Sequence, residues 1–271
     1  MNKELKEMSF LDHLEELRWL LIRSAIAVFL FGIVAFLNIR YIFDHFLMVF
    51  KDPNFFTYRF LCDLSHKFGS EGLCIDKIDF TIQSLKMSEQ FSAHLWLAFT
   101  FGFILAFPYI LYEIWKFIKP ALYKKEQKHA FAFIIISSFL FFIGILFGYF
   151  IIAPLSINFL GNYSVSQEVE RNFKLASYIA IIKTSVLSSG IIFELPILIY
   201  FLAKMGLVTP EFLKKYRKYA FVIVLILAAI ITPPDVLSQI IVTIPMMILY
   251  EVGIIISKII VKKQNQALTK Q

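Results

Sequence analysis

Six stretches of the chain are apolar over most or all of the length needed to cross a bilayer. They run Trp19–Leu37, Phe91–Ile114, Ala130–Ala153, Tyr178–Ala203, Ala220–Ile231 and Val236–Ser257, with polar segments between them. At ~1.5 Å of rise per residue, a ~30 Å hydrocarbon core takes about 20 residues. The fifth stretch has only 12 residues before Thr232-Pro233-Pro234 stops it. That is roughly 18 Å of helix, so it needs either thinned lipid or ends buried in protein. Pro108 breaks the second stretch, Pro154 ends the third, and Pro196 and Pro245 lie within the fourth and sixth. Each removes a backbone donor and favours a bend. The pattern predicts an all-α integral membrane protein, a single membrane domain over residues 1–271. Its six transmembrane helices form a curved, concave bundle, and helix five is short.

A different period precedes the first stretch. Ser9 with Asp12 three residues later reads as a capping-box start. Phe10, Leu14, Leu17 and Leu21 then recur at helical spacing, with Asp12, Glu15, Glu16 and Trp19 on the opposite face. An amphipathic surface helix is expected over 9–18, running into the first span. Its sign is unusual, because interfacial helices normally carry Lys and Arg toward anionic lipid. Two readings stand: a dock for a cation, Arg above all because its planar fork takes carboxylates bidentately, or a solvated face met by Arg18, Arg23 and loop lysines.

Composition sharpens the class. The chain is 59% hydrophobic with a mean hydropathy of +0.72, against about 45–50% apolar for a soluble domain. The net charge of +7 does not point to nucleic acid, because the basic residues sit in short segments between apolar blocks. Lys116, Lys119, Lys124, Lys125 and Lys128 share one side with Lys204, Lys214, Lys215, Arg217 and Lys218 and with the C-terminal lysines. The positive-inside rule makes that side, and both termini, cytoplasmic. Met1–Arg18 lacks the form of a signal peptide, so the first helix is expected to stay as its own insertion signal. Cys62 and Cys74 lie in the long outer segment Asn38–Gln90, where an oxidising compartment allows a disulfide; two free thiols are the alternative. Gly144 and Gly148 form one small-xxx-small pattern, which in a Phe-rich helix reads more readily as chance than as a packing face.

Five segments carry a resemblance. His13-Leu14-Glu15-Glu16-Leu17-Arg18, Lys119-Pro120-Ala121-Leu122-Tyr123 with Lys125-Glu126, Phe193-Glu194-Leu195-Pro196, Thr232-Pro233-Pro234-Asp235 with Ser238-Gln239, and Tyr250-Glu251-Val252-Gly253 resemble, in order, the signatures of the TatC family. The resemblance implies a receptor, not an enzyme, that binds twin-arginine signal peptides of folded precursors. It would act in the bacterial inner membrane with TatA- and TatB-type single-span partners, driven by the proton-motive force and without a cofactor or metal. It also implies self-association in a multimeric complex. The richness in Phe, Ile and Lys leaves an organelle-encoded version open. By position, Glu16 and Glu126 would receive the arginine pair and Arg18 would orient Glu16. An internal salt bridge is the other reading for Glu126, and a positive-inside anchor for Arg18.

By the same resemblance Glu194 would contact a signal peptide or partner helix, and Gln239 and Glu251 a partner helix; the other reading for each is bundle packing, and Glu251, near the cytoplasmic end, could simply reach water. Asp235 reads most simply as an N-cap. Lys183 departs from the family pattern and reads as a snorkelling side chain, and His94 and His129 read as interfacial polar residues. Trp96, Trp115, Tyr112 and Tyr123 suit interface belts. Two other classes are disfavoured. A small-solute transporter pairing Glu194 with Lys183 would be expected to show paired discontinuous helices and an internal repeat. An intramembrane enzyme would need a catalytic motif, and none is present.

Overall fold

The structure is a computed structural model, and it describes residues 10–67, 80–119, 130–166, 171–232 and 236–268. The acidic surface helix and the first span are one helix, α1 (Phe10–Leu37), because the sequence from Phe10 to Phe31 holds neither Gly nor Pro to interrupt it. The segment expected as a long outer loop is largely structured. It contains α2 (Ile39–Ile42), a π-helical turn at Phe43–Leu47, a 3-10 turn at Met48–Lys51, and α3 (Phe56–Lys67). Strand β1 (Thr81–Gln83) follows and pairs in parallel with β2 (Asn172–Lys174), a two-stranded exception to the all-α expectation.

α4 (Glu89–Ile118) continues through Pro108 without a break. α5 (Ala130–Phe147) passes through a π turn at Gly148–Ile152 into α6 (Ala153–Asn162). The fourth stretch divides into α7 (Leu175–Ile192) and α8 (Leu195–Lys204). The chain ends with α9 (Pro210–Lys215), α10 (Arg217–Ile231) and α11 (Val236–Leu268). By length and composition, five helical runs among the described residues could cross a membrane: His13–Leu37, Glu89–Ile118, Phe131–Asn162, Leu175–Lys204 and Ser238–Lys263. α10 has 15 residues, about 22 Å at helical rise.

The chain divides into two compact units, Met1–Arg40 with His94–Phe139, and Tyr41–Ala93 with Leu140–Gln271. In the first, α1 and α4 approach until backbones touch. A Cβ at Gly102 would stand 2.6 Å from Val28 O and 2.7 Å from Gly32 N. His94 stacks on Phe36 at 3.9 Å, its Nε2 lying 3.0 Å from Phe36 O. Trp115 is buried against Phe133 at 4.9 Å between ring centroids. These contacts set the C-terminal half of α4 beside the acidic start of α1.

In the second unit, Pro154 does not end its helix. Proline lacks the N–H that would bond Phe150 O four residues back, and the Thr57 hydroxyl of α3 donates to Phe150 O in its place. The π turn absorbs the register change, with Ala153 N–H reaching Gly148 O five residues back. The irregular 43–51 segment is satisfied in the same manner. Tyr149 OH donates to Phe46 O at 3.0 Å, Tyr178 OH to Leu47 O, and Tyr58 OH to Phe50 O at 3.1 Å. Tyr58 OH also lies 3.1 Å from Pro154 O. Burial pushes the Tyr58 phenol above its ordinary value, which keeps it a donor. Thr57→Val is expected to cost about 1 kcal/mol. Pro154→Ala, which restores the missing N–H, should remove most of that cost in the double variant. Thermal unfolding of the four proteins checks this, and an equal cost in both backgrounds would reject it.

Gly144 and Gly148 form a packing face, against the expectation of chance. A Cβ at Gly148 would stand 2.7 Å from Ser185 O and 2.8 Å from Val186 Cα. One at Gly144 would stand 2.7 Å from Ser189 O and 2.8 Å from Gly190 Cα. Small residues let α5 and α7 meet backbone to backbone. Farther along, Val224, Ala228 and Ile231 of α10 pack with Val242 and Met246 of α11 on Ile152 of the π turn. Glu89 joins the starts of two helices: its carboxylate accepts from Leu85 N at 2.8 Å and from Ala176 N at 2.9 Å.

Candidate functional site

The first unit holds a groove of about 280 Å³ between α1 and α4. α1 supplies Glu15, Glu16, Trp19, Leu20 and Arg23, and α4 supplies Glu113, Lys116 and Phe117. The α1 residues recur at three- and four-residue intervals, which places them on one face. Tyr109, Glu113 and Phe117 do the same on α4 at four-residue steps. His13 stacks on Phe117 at 4.2 Å, an aromatic contact at this end of the two helices.

Glu15 and Glu16 are exposed and available to a ligand. Glu113 is 5% exposed and forms the buried polar wall. Its Oε1 accepts from Tyr109 OH at 3.0 Å, and its Oε2 accepts from Arg23 Nη1 at 3.5 Å. The Arg23 guanidinium also lies 6.0 Å from the centroid of the Trp19 ring. The groove therefore carries three carboxylates against two cations, with aromatic walls. It can take a cationic, planar group and hold it by fork-shaped hydrogen bonds.

A family model described as Sec-independent protein translocase protein (TatC) matches residues 12–245. The chain belongs to the TatC family. A TatC protein of Blattabacterium from Periplaneta americana is 44% identical over 270 residues, covering 97% of this chain and all of that one. TatCy of Bacillus subtilis is 31% identical over 97% of this chain and 94% of its own length. A crystal structure described as the twin-arginine translocase receptor TatC superposes with a TM-score of 0.69 at 34% identity, over 92% of this chain and 99% of that one. This TatC-family chain is thus a multi-pass membrane protein and a component of the Sec-independent protein translocase, not an enzyme.

The residues singled out from the TatC signatures are distributed unevenly. Glu16 lines the groove. Arg18 is exposed and is not among the groove's walls. Two residues along a helix turn it about 200° from Glu16, and Arg23 is the arginine that faces in. Glu126, Asp235 and Cys74 lie outside the described residues, as do His129 and Tyr123. Cys62 is disulfide-bonded and sits on α3 with its Sγ 3.4 Å from His66 Nε2.

Glu194 is half-buried at the break between α7 and α8. There Pro196 withholds a donor from Ile192 O, and the turn tightens, with Glu194 N bonding Ile191 O at 3.1 Å. Lys183 is half-buried in α7. Gln239 Nε2 donates to Leu225 O at 3.1 Å, tying α11 to α10. Glu251 is gripped at both oxygens by Arg217, whose Nε and Nη2 each lie at 2.8 Å.

Glu113 and Arg23 went unrecognised as a pair in the sequence. The available signal was a carboxylate inside an apolar block, with aromatic residues four positions to either side, and an arginine inside another.

Proposed function

We propose that this chain is the receptor of a twin-arginine translocase. It recognises the consecutive arginines of signal peptides on folded precursors and works with TatA- and TatB-type partners, using the proton-motive force, in the bacterial inner membrane. The observation that carries this reading is the groove between α1 and α4, where Glu15 and Glu16 stand exposed above a buried carboxylate. An Arg side chain matches such a site in charge, planarity and donor number. In this reading Glu126 is the second receiving carboxylate, α10 is the short fifth of six spans, and both termini are cytoplasmic. Glu194 and Gln239 offer polar contacts to partner helices, and Glu251 serves through its ion pair with Arg217. The receptor function stated for the crystallised relative supports the same assignment.

Photoreactive residues placed at Trp19 and Phe117 flank the groove and leave Glu16 intact. They are expected to crosslink a precursor bearing an Arg-Arg signal and to lose that crosslink with a Lys-Lys control. Equal crosslinks to both, or none to either, would overturn the assignment.

A further inference from the structure

The Arg23–Glu113 contact is oddly made for an ion pair that stabilises a fold. A buried carboxylate needs a partner, because leaving its charge unmatched is costly. Yet Arg23 meets it with one nitrogen at 3.5 Å, and the Arg23 side chain is 43% exposed while that of Glu113 is 6% exposed. Charge-assisted hydrogen bonds normally run about 2.7–2.9 Å and are often two-pronged. The same protein builds that tighter form elsewhere, between Arg217 and Glu251, with both contacts at 2.8 Å. The groove's arginine is thus a loose, half-solvated cover on a fixed anion, and Tyr109 OH anchors the other oxygen of that anion at 3.0 Å.

The charge balance of the groove points the same way. With Arg23 seated, three carboxylates face Arg23 and Lys116, a surplus of one negative charge. If Arg23 swings to solvent, three carboxylates face Lys116 alone, a surplus of two, the charge of two arginines. Trp19 offers a surface for a guanidinium on this route, since Arg23 already lies 6.0 Å from its ring.

We propose that Glu113 is a third arginine-recognising carboxylate, held in the unliganded receptor by Arg23, which an incoming arginine displaces. This rests on the receptor reading above. Arg23 then acts as an internal competitor that sets selectivity. Displacing a seated guanidinium takes a group that offers a planar fork, and a lysine ammonium is a strongly hydrated point charge. Lysine gains less at Glu113 and does not recover the cost of expelling Arg23.

The test uses the full chain in detergent and two labelled synthetic peptides, one with Arg-Arg before an apolar run and one with Lys-Lys. Arg23→Gln removes the competitor. It is expected to tighten Arg-Arg binding about fivefold or more and to narrow the Arg-over-Lys preference, a gain that misfolding cannot mimic. Glu113→Gln should weaken Arg-Arg binding about tenfold, the size of one charged hydrogen bond. In the double variant the gain from Arg23→Gln should vanish, because its target is gone. The proposal is overturned if Arg23→Gln leaves both peptides unchanged or weakens them, or if its gain persists without the Glu113 charge. Glu16→Gln separates the two levels. If it abolishes peptide discrimination while the Arg23 and Glu113 variants do nothing, only this inference fails. If it too has no effect, the receptor reading fails with it.

Discussion

Glu16→Lys is expected to abolish export of precursors with twin-arginine signals and to lower affinity for the signal peptide at least about 100-fold. The variant loses one charge-assisted pair, worth about 1.5–3 kcal/mol. It also places an ammonium where a guanidinium must sit. Two like charges ~4 Å apart at a protein surface repel by roughly 4 kcal/mol. At 1.4 kcal/mol per decade, the two effects together exceed about 100-fold even after partial screening by salt. Glu16 is exposed and contributes nothing to a packed interior, so the unfolding temperature should stay near that of the unchanged protein. Peptide anisotropy with a melting curve on the same preparation checks both halves. Binding that survives the reversal would remove Glu16 from the site.

The second large effect is structural. Gly148→Leu is expected to prevent α5 and α7 from docking and to leave little monodisperse protein in detergent. The obstacles are Ser185 O at 2.7 Å and Val186 Cα at 2.8 Å from the added Cβ. Both are backbone atoms, so no rotamer change relieves the clash. Gly148→Ala adds only the first carbon and should cost about 1–3 kcal/mol as overpacking, read as a lowered midpoint in thermal unfolding. Because Gly148 lies in the second unit and the groove in the first, Gly148→Ala that remains folded should still bind the Arg-Arg peptide. Retention of the unchanged protein's stability by the leucine variant would show that the two helices separate at little cost.

These two residues were not equally legible. Glu16 could be picked out near the chain's start: three carboxylates on one helical face are unusual for an interfacial helix, a pattern that fits a cation dock or a solvated face, and the family signature His13–Arg18 favoured the dock. Gly148 could not. A glycine four residues after another in an apolar helix is ambiguous until the helix it faces is known, and Ser185 is 37 positions away. Pro154 shows the same limit in the opposite direction. From its own neighbourhood it should end a helix. It does not, because Thr57, on a helix in the segment expected as a loop, supplies the hydrogen bond that proline withholds.

The long apolar blocks, the acidic helix that leads into the first of them and the family signatures could therefore be read from sequence. Transfer to lipid sums over about 20 contiguous residues, so one-dimensional pattern carries that free energy almost whole. The helical phase of Glu15, Glu16 and Trp19 is equally local. Tertiary structure decided which charges meet. Arg23 and Glu113 are separated by 90 positions, and Arg217 and Glu251 by 34. Nothing in either neighbourhood states that the first pair is long and single-pronged and the second short and forked. An ion pair depends on the distance and angle between two side chains to within a fraction of an ångström. For Arg23 and Glu113 that geometry follows from where Gly32 and Gly102 let α1 and α4 touch, and for Arg217 and Glu251 from how α10 packs on α11, not from the residues that carry the charge.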